Sequence, residues 1–151
     1  MKKDTTETLN DLLRLDIDAI QAYKQAIDAC EVPAIRDRLT EFMGDHERHV
    51  RDLRDAVRNL GAEPVEKRDL KGFLIEGFTA ISSRGDRSAL MAMRGNEELT
   101  NRRYDAARKS EVPADVHELI ERNYQDEARH LAWIKDAIQN RAWEKGGSKA
   151  A

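Results

Sequence analysis

Residues 45–49 read Asp45-His46-Glu47-Arg48-His49, and 81 positions later residues 126–130 read Asp126-Glu127-Ala128-Arg129-His130. The same shift carries Asp16 onto Glu97 and Tyr23 onto Tyr104. Glu31-Val32-Pro33-Ala34 recurs, one residue out of step, as Glu111-Val112-Pro113-Ala114. One shared string is weak grounds for a repeat in a charged helical protein. Several features in a common register are strong grounds, and the chain reads as a duplicated helical hairpin.

The boundaries follow from capping and turn residues. Asp4 followed by Glu7 resembles a capping box, and apolar periodicity runs on to about Cys30. Pro33 suits the first turn of a second helix, which ends at Leu60-Gly61 with Pro64 beyond. A third helix is expected from about Asp86 to Lys109, and a fourth from Pro113 to about Trp143. That assigns residues 1–143 to one bundle and residues 144–151, with Gly146-Gly147-Ser148, to a flexible tail. Tight loops make each helix pair an antiparallel hairpin. The link between the second and third helices is long, and residues 69–82 within it (Leu70, Phe73, Leu74, Phe78, Ile81) are spaced as a short amphipathic helix. The fold class is all-α: two hairpins joined by a long crossover into a four-helix bundle.

Alternating steps of three and four residues define the inward seam of each helix. They give Leu9, Leu12, Asp16, Ala19, Tyr23, Ala26 and Cys30 in the first, and Leu39, Phe42, His46, His49, Leu53, Ala56 and Leu60 in the second. The third gives Leu90, Met93, Glu97, Thr100, Tyr104 and Ala107, and the fourth Ile120, Asn123, Glu127, His130, Ile134 and Ala137. Each apolar seam is broken near its middle by carboxylate or imidazole. Asp16 to His49 and Glu97 to His130 are both separations of 33 residues, so the interruptions share one level. An unpaired buried charge costs several kcal/mol, and four such breaks need a common compensation. Two metal ions supply it. His46/His49 and Glu127/His130 each sit three apart on one helix face, and the mixed oxygen and nitrogen donors suit iron, manganese or zinc. Asp18 is an alternative to Asp16, whereas Glu98 falls off its seam and His117 precedes that of the fourth helix and reads as a surface residue.

Other classes of function fit less well. The net charge of −3 is dispersed, with no basic stripe for nucleic acid. No apolar run is long enough for a membrane span, and the polar start Met1-Lys2-Lys3-Asp4-Thr5 does not resemble a signal peptide. A single cysteine, Cys30, fits a reducing compartment, so the expectation is cytoplasmic.

Glu127-Ala128-Arg129-His130 followed by Leu131-Ala132-Trp133, the lone Glu97, and the spacing from Asp16 to Tyr23 resemble the ferritin-like superfamily, bacterioferritins and rubrerythrins in particular. Its pattern is a Glu on each of two helices and a Glu-x-x-His on each of the others. Residues 5–140, including Lys71-Gly72-Phe73 and Gly95-Asn96-Glu97-Glu98, also resemble a family of small bacterial four-helix proteins grouped as a domain of unknown function. The superfamily resemblance implies two transition-metal ions, iron first, held by Asp16, His46, His49, Glu97, Glu127 and His130. Asp45 and Asp126 would orient imidazoles, as carboxylates behind metal ligands do, the alternative being surface carboxylates that stabilise their helices. Tyr23 and Tyr104 lie two turns, roughly 10 Å, from Asp16 and Glu97 along their own helices, and read either as ordinary core tyrosines or as donors to ligands on the opposite helix.

Two positions depart from the pattern. Asp16 shortens an arm by one methylene, and His46 stands where a Glu usually bridges the ions. Three carboxylates then face about four positive charges, and the second ion is expected to bind more weakly. The activity implied is reaction of ferrous iron with oxygen or peroxide, in iron or oxidative-stress handling. Non-catalytic metal buffering and a metal-free interaction bundle are the alternatives. Without a ferritin-type fifth helix in the sequence, a homodimer is expected in place of a storage shell.

Overall fold

Each seam is realised as one long helix. The computed structural model describes residues 2–66 and 84–144. Among them run α1 (Lys2–Ala29), α2 (Pro33–Asn59), α3 (Asp86–Arg108) and α4 (Ala114–Gln139). Val32 is extended (φ −80°, ψ 116°), as a residue before proline must be, and Pro33 opens α2 where no intrahelical N–H is needed. At the other end Gly61 turns left-handed (φ 78°). There Gly61 N–H bonds Arg58 O at 2.9 Å and Ala62 N–H bonds Val57 O at 3.2 Å, closing α2.

Two boundaries differ from expectation. The chain is already helical at Lys2, so Asp4 lies inside the first turn and does not precede it. The fourth helix stops at Gln139, short of Trp143. Asn140 bonds back to Asp136 O at 3.0 Å, and Arg141 adopts a positive φ of 50°, which breaks the helix before a further turn at 142–144. The expected crossover helix at 69–82 and most of the 144–151 tail lie outside the described residues.

Cross-helix contacts set the directions. Asp16 reaches Tyr104 while Tyr23 reaches Glu97, so α1 and α3 run antiparallel. Asp45 meets His130 while His49 meets Asp126, so α2 and α4 do too. A three-residue turn makes α1–α2 antiparallel, so α2 and α3 are parallel, and the end of α2 and the start of α3 lie at opposite ends of the bundle. Both ends of the link between them are tied down. Val65 N–H donates to Asn10 Oδ1 at 3.0 Å, and Gly85 N–H to Ala29 O at 2.9 Å.

The apolar core is split in two. One part gathers Leu9, Leu13, Leu53, Val57 and Ile120; the other gathers Ala26, Leu39, Phe42, Leu90, Met93 and Ile134. The polar side chains of the four seams lie between. No helix among the described residues is long and apolar enough to cross a membrane.

Buried Asp86 fastens the start of α3 to the α1–α2 turn, accepting Glu31 N–H at 2.9 Å and Val32 N–H at 3.0 Å. Asp86→Ala orphans both amides and should destabilise the protein by about 1–3 kcal/mol. Asp86→Asn, which keeps one acceptor oxygen, should lose less. Urea midpoints at unchanged m-value provide the check.

Candidate metal centre

Asp16, His46, His49, Glu97, Glu127 and His130 are all buried, none more than 1% exposed. The structure brings the six together as two overlapping groups. Asp16, His46, His49 and Glu127 form one; His46, Glu97, Glu127 and His130 form the other. Within each group the ligating atoms all lie within 4.8 Å of one another. His46 and Glu127, which the repeat maps onto each other, belong to both. Three-residue spacing on α2 and α4 aims each pair at one point, and the antiparallel hairpins bring those points level.

The ligand-type side chains are braced from across the bundle. The Tyr104 hydroxyl donates to Asp16 Oδ2 at 2.5 Å, and the Tyr23 hydroxyl donates to Glu97. Burial and the adjacent carboxylates, Asp16 for Tyr104 and Glu97 for Tyr23, raise both phenols well above their ordinary range, so both remain donors. Thr100 Oγ1 adds a bond to Glu97 Oε1 at 3.1 Å, and Asn123 Nδ2 supports Tyr104 at 3.2 Å.

The outer nitrogens of two histidines are held the same way. His49 Nε2 meets Asp126 at 2.9 Å, and His130 Nε2 meets Asp45 at 2.8 Å. A carboxylate partner requires the proton on Nε2, and Nδ1 of each ring faces inward, 3.0 Å from Asp16 Oδ1 for His49 and 3.3 Å from Glu97 Oε2 for His130. Burial opposes ionisation of Asp45, but His130 and Arg129 hold its carboxyl below the usual range; His49 leads the same effect at Asp126. Arg129 reaches Asp45 at 2.7 Å and Asp126 at 3.2 Å, and Arg48 pairs with both as well.

Inside, burial and pairing compete. Burial pushes Asp16 up, but His49 and His46 outweigh it and hold the carboxyl at about 2. Glu97 is lowered in the same way by His130 and His46. Burial pushes His49 down, yet Asp16 and Asp126 raise it to about 9; His46 and His130 are also raised, chiefly by Glu127 and Glu97 respectively. Glu127 goes the other way. Its burial, reinforced by Glu97 and Asp16 and only partly offset by His46 and His130, lifts it to about 7.

Glu127 also tests whether the donors fit a metal. Neither of its oxygens has a hydrogen-bond partner among the described residues, and the closest imidazole nitrogens are 3.5 Å (His49 Nδ1) and 3.6 Å (His46 Nε2) away. These distances are too long for good hydrogen bonds. A fully buried carboxylate without a hydrogen bond is costly even beside two imidazoles, and a cation bound between it and the inward nitrogens removes that cost. Three carboxylates and three imidazoles are donors suited to a first-row transition metal. The residues fit a dinuclear site.

Other candidates fall elsewhere. Asp18 is buried but joins neither group. Glu98 pairs with Arg94 at 4.0 Å, and His117 is exposed. Arg48 and Arg129 were not singled out from the sequence, although the 81-residue shift relates them too. Asn101, which ties Glu97 O at 2.7 Å to Glu127 O at 2.9 Å, has no counterpart in the repeat and left no signal.

Residues 4–110, spanning α1 to α3, match a family described as "Domain of unknown function (DUF2383)". Among solved structures, the chain resembles "ferritin like, diiron-carboxylate proteins" from Bacillus anthracis str. Ames, with a TM-score of 0.72 at 18% identity over 91% of this chain and 96% of that one. The fold is ferritin-like. No curated protein matches the sequence.

The titrations dictate how metal-free protein responds to pH. His49 is raised from 6.5 to about 9 and Glu127 from 4.5 to about 7, so the native state holds extra protons across that span. His49 therefore stabilises fully below about 6.5 and its contribution is lost as pH rises through about 9. The cost of ionising Glu127 accumulates over the same direction, up to about 7. Melting of chelator-treated protein should fall steadily from pH 6 to pH 9. With saturating metal the trend should flatten or reverse, because metal ions compete with those protons. Glu127→Gln removes the orphaned charge. It should raise the melting temperature of metal-free protein at pH 8 and shrink the metal-induced gain, both readable by calorimetry.

Proposed function

The chain belongs to the family described as a domain of unknown function (DUF2383), and from its buried side chains we propose a ferritin-like protein that binds two transition-metal ions, iron first, and reacts ferrous iron with oxygen or peroxide. The observation that carries this reading is Glu127, whose two orphaned oxygens lie where both donor groups overlap. A metal-free interaction bundle gains nothing from such a residue, whereas a metal site needs it.

Asp16 and His49 would hold one ion and Glu97 and His130 the other, with His46 and Glu127 within reach of both positions. Bound iron would supply one-electron chemistry toward oxygen or peroxide. The protein's part is orientation and enclosure. Tyr104 anchors Asp16 by Oδ2 and leaves Oδ1 facing His46 and His49, whereas Tyr23 donates to Glu97 Oε2, the oxygen that also faces His46 and His130, and Thr100 holds Oε1. Asp45 and Asp126 fix the imidazole tautomers. The apolar clusters above and below restrict water. Surface grooves lined by Ile17, Lys24 and Val50, or by Leu12, Arg103 and Ala107, include none of the six residues, which suits substrates as small as ions and oxygen species. A second reading, buffering without turnover, draws on His46 in place of a carboxylate, which leaves the donor set one negative charge short.

Protein purified without chelator or affinity histidines should carry one to two transition-metal ions per chain by elemental analysis. Adding ferrous iron anaerobically and then admitting air should consume oxygen in proportion to bound iron. Bound metal without oxygen uptake would favour buffering. No metal after reconstitution with iron, manganese and zinc would remove both readings.

A further inference from the structure

Three imidazoles face the centre, but they are not equivalent. His49 and His130 each commit one nitrogen to an aspartate outside the donor set and point only Nδ1 inward. His46 has no such outer partner. Its Nδ1 lies 2.6 Å from Asp16 Oδ1, and its Nε2 lies 3.2 Å from Glu97 Oε2 and 3.6 Å from Glu127 Oε2. The ring is fully buried between those of Tyr23, His49 and His130, at centroid distances of 5.3, 5.5 and 5.2 Å. One nitrogen thus faces the α1 carboxylate and the other faces the carboxylates of α3 and α4.

We infer that His46 links the two metal positions through both ring nitrogens, Nδ1 serving the Asp16/His49 side and Nε2 the Glu97/His130 side. The inference rests on the reading that the six residues hold two ions. The first ion takes the lone pair of one nitrogen. The second displaces the remaining N–H proton, which leaves to solvent, and the ring stays as imidazolate with no change of oxidation state. Charge then closes: Asp16, Glu97 and Glu127 supply three negative charges and the ring a fourth, against four on two divalent ions. Spacing changes as well. Two metal–nitrogen bonds of about 2.1 Å plus the width of the ring put the ions about 6 Å apart. Carboxylate-bridged pairs lie about 3.5–4 Å apart. The wider spacing reduces ion–ion repulsion by roughly a third. It also separates the two ions too far for one small ligand to bridge them closely, which favours stepwise, ion-by-ion behaviour.

The competing arrangement keeps the proton on Nδ1, donated to Asp16, with Nε2 binding a single ion. The full chain, labelled with 15N-histidine and loaded with two equivalents of zinc, separates the two. Expected are metal-shifted signals from both His46 nitrogens and no His46 ring N–H, while His49 and His130 keep Nε2–H. Anomalous diffraction from cobalt-loaded crystals should place two ions about 6 Å apart. In His46→Glu, with helicity checked by circular dichroism, that distance should contract to about 3.5–4 Å. A retained His46 Nδ1–H, or two ions about 4 Å apart in the parent, overturns the imidazole link and leaves dinuclear binding standing. Fewer than two bound ions in the parent overturns both.

Discussion

Charge buried at mid-height of a helical bundle governs this molecule. Asp16, Glu97 and Glu127 sit with His46, His49 and His130 at 1% exposure or less, in a plane where packing alone would call for leucine. Every other feature of the bundle's middle answers the requirement that those groups be paired. The apolar core divides into two clusters to make room for the layer. Two tyrosines, a threonine and two asparagines are buried or half-buried to supply donors. The one group left without a donor, Glu127, is the one shared by both halves of the layer.

The bracing runs mainly between hairpins. Tyr23 of the first hairpin serves Glu97 of the second, and Tyr104 of the second serves Asp16 of the first. Asp45 and Asp126 exchange histidines likewise, with Arg48 and Arg129 clamped across them. Neither hairpin completes its own half of the site. Assembly of the donor set and docking of the hairpins are therefore one event, and an ion bound to the native state alone would stabilise both together. Duplication explains the symmetry, since a repeated hairpin with one ligand pair yields two reciprocal sets of braces when it packs against its copy.

His46 breaks that symmetry. At the position equivalent to Glu127, an imidazole replaces a flexible, two-oxygen donor with a rigid ring whose nitrogens point in opposite directions. A ferritin-like scaffold can thus keep its fold and donor level while altering the charge and the spacing available to the ions. Similarity to a diiron-carboxylate protein at 18% identity shows the fold alone; the donor level, charge and spacing rest on this chain's own residues.

The one-dimensional pattern was enough to place the six residues at one level of the bundle, and the reason is geometric. A helix converts sequence separation into height, and a tight turn reflects one height onto another, so equal 33-residue separations mean equal levels. The 81-residue repeat likewise relates Asp45 to Asp126 and Arg48 to Arg129 before any coordinates are considered. Helix ends were less legible: Asn140 and Arg141 end α4 through local backbone and side-chain bonds that apolar spacing does not report. Asp18 is buried although the seam excludes it. What only the tertiary structure decided is which atoms meet. Whether His46 turns one nitrogen or two toward the donors, and which hairpin's aspartate orients which imidazole, depends on the rotation of each helix and the docking of the two hairpins. Those are set by packing across the bundle, and spacing along a chain carries no record of them.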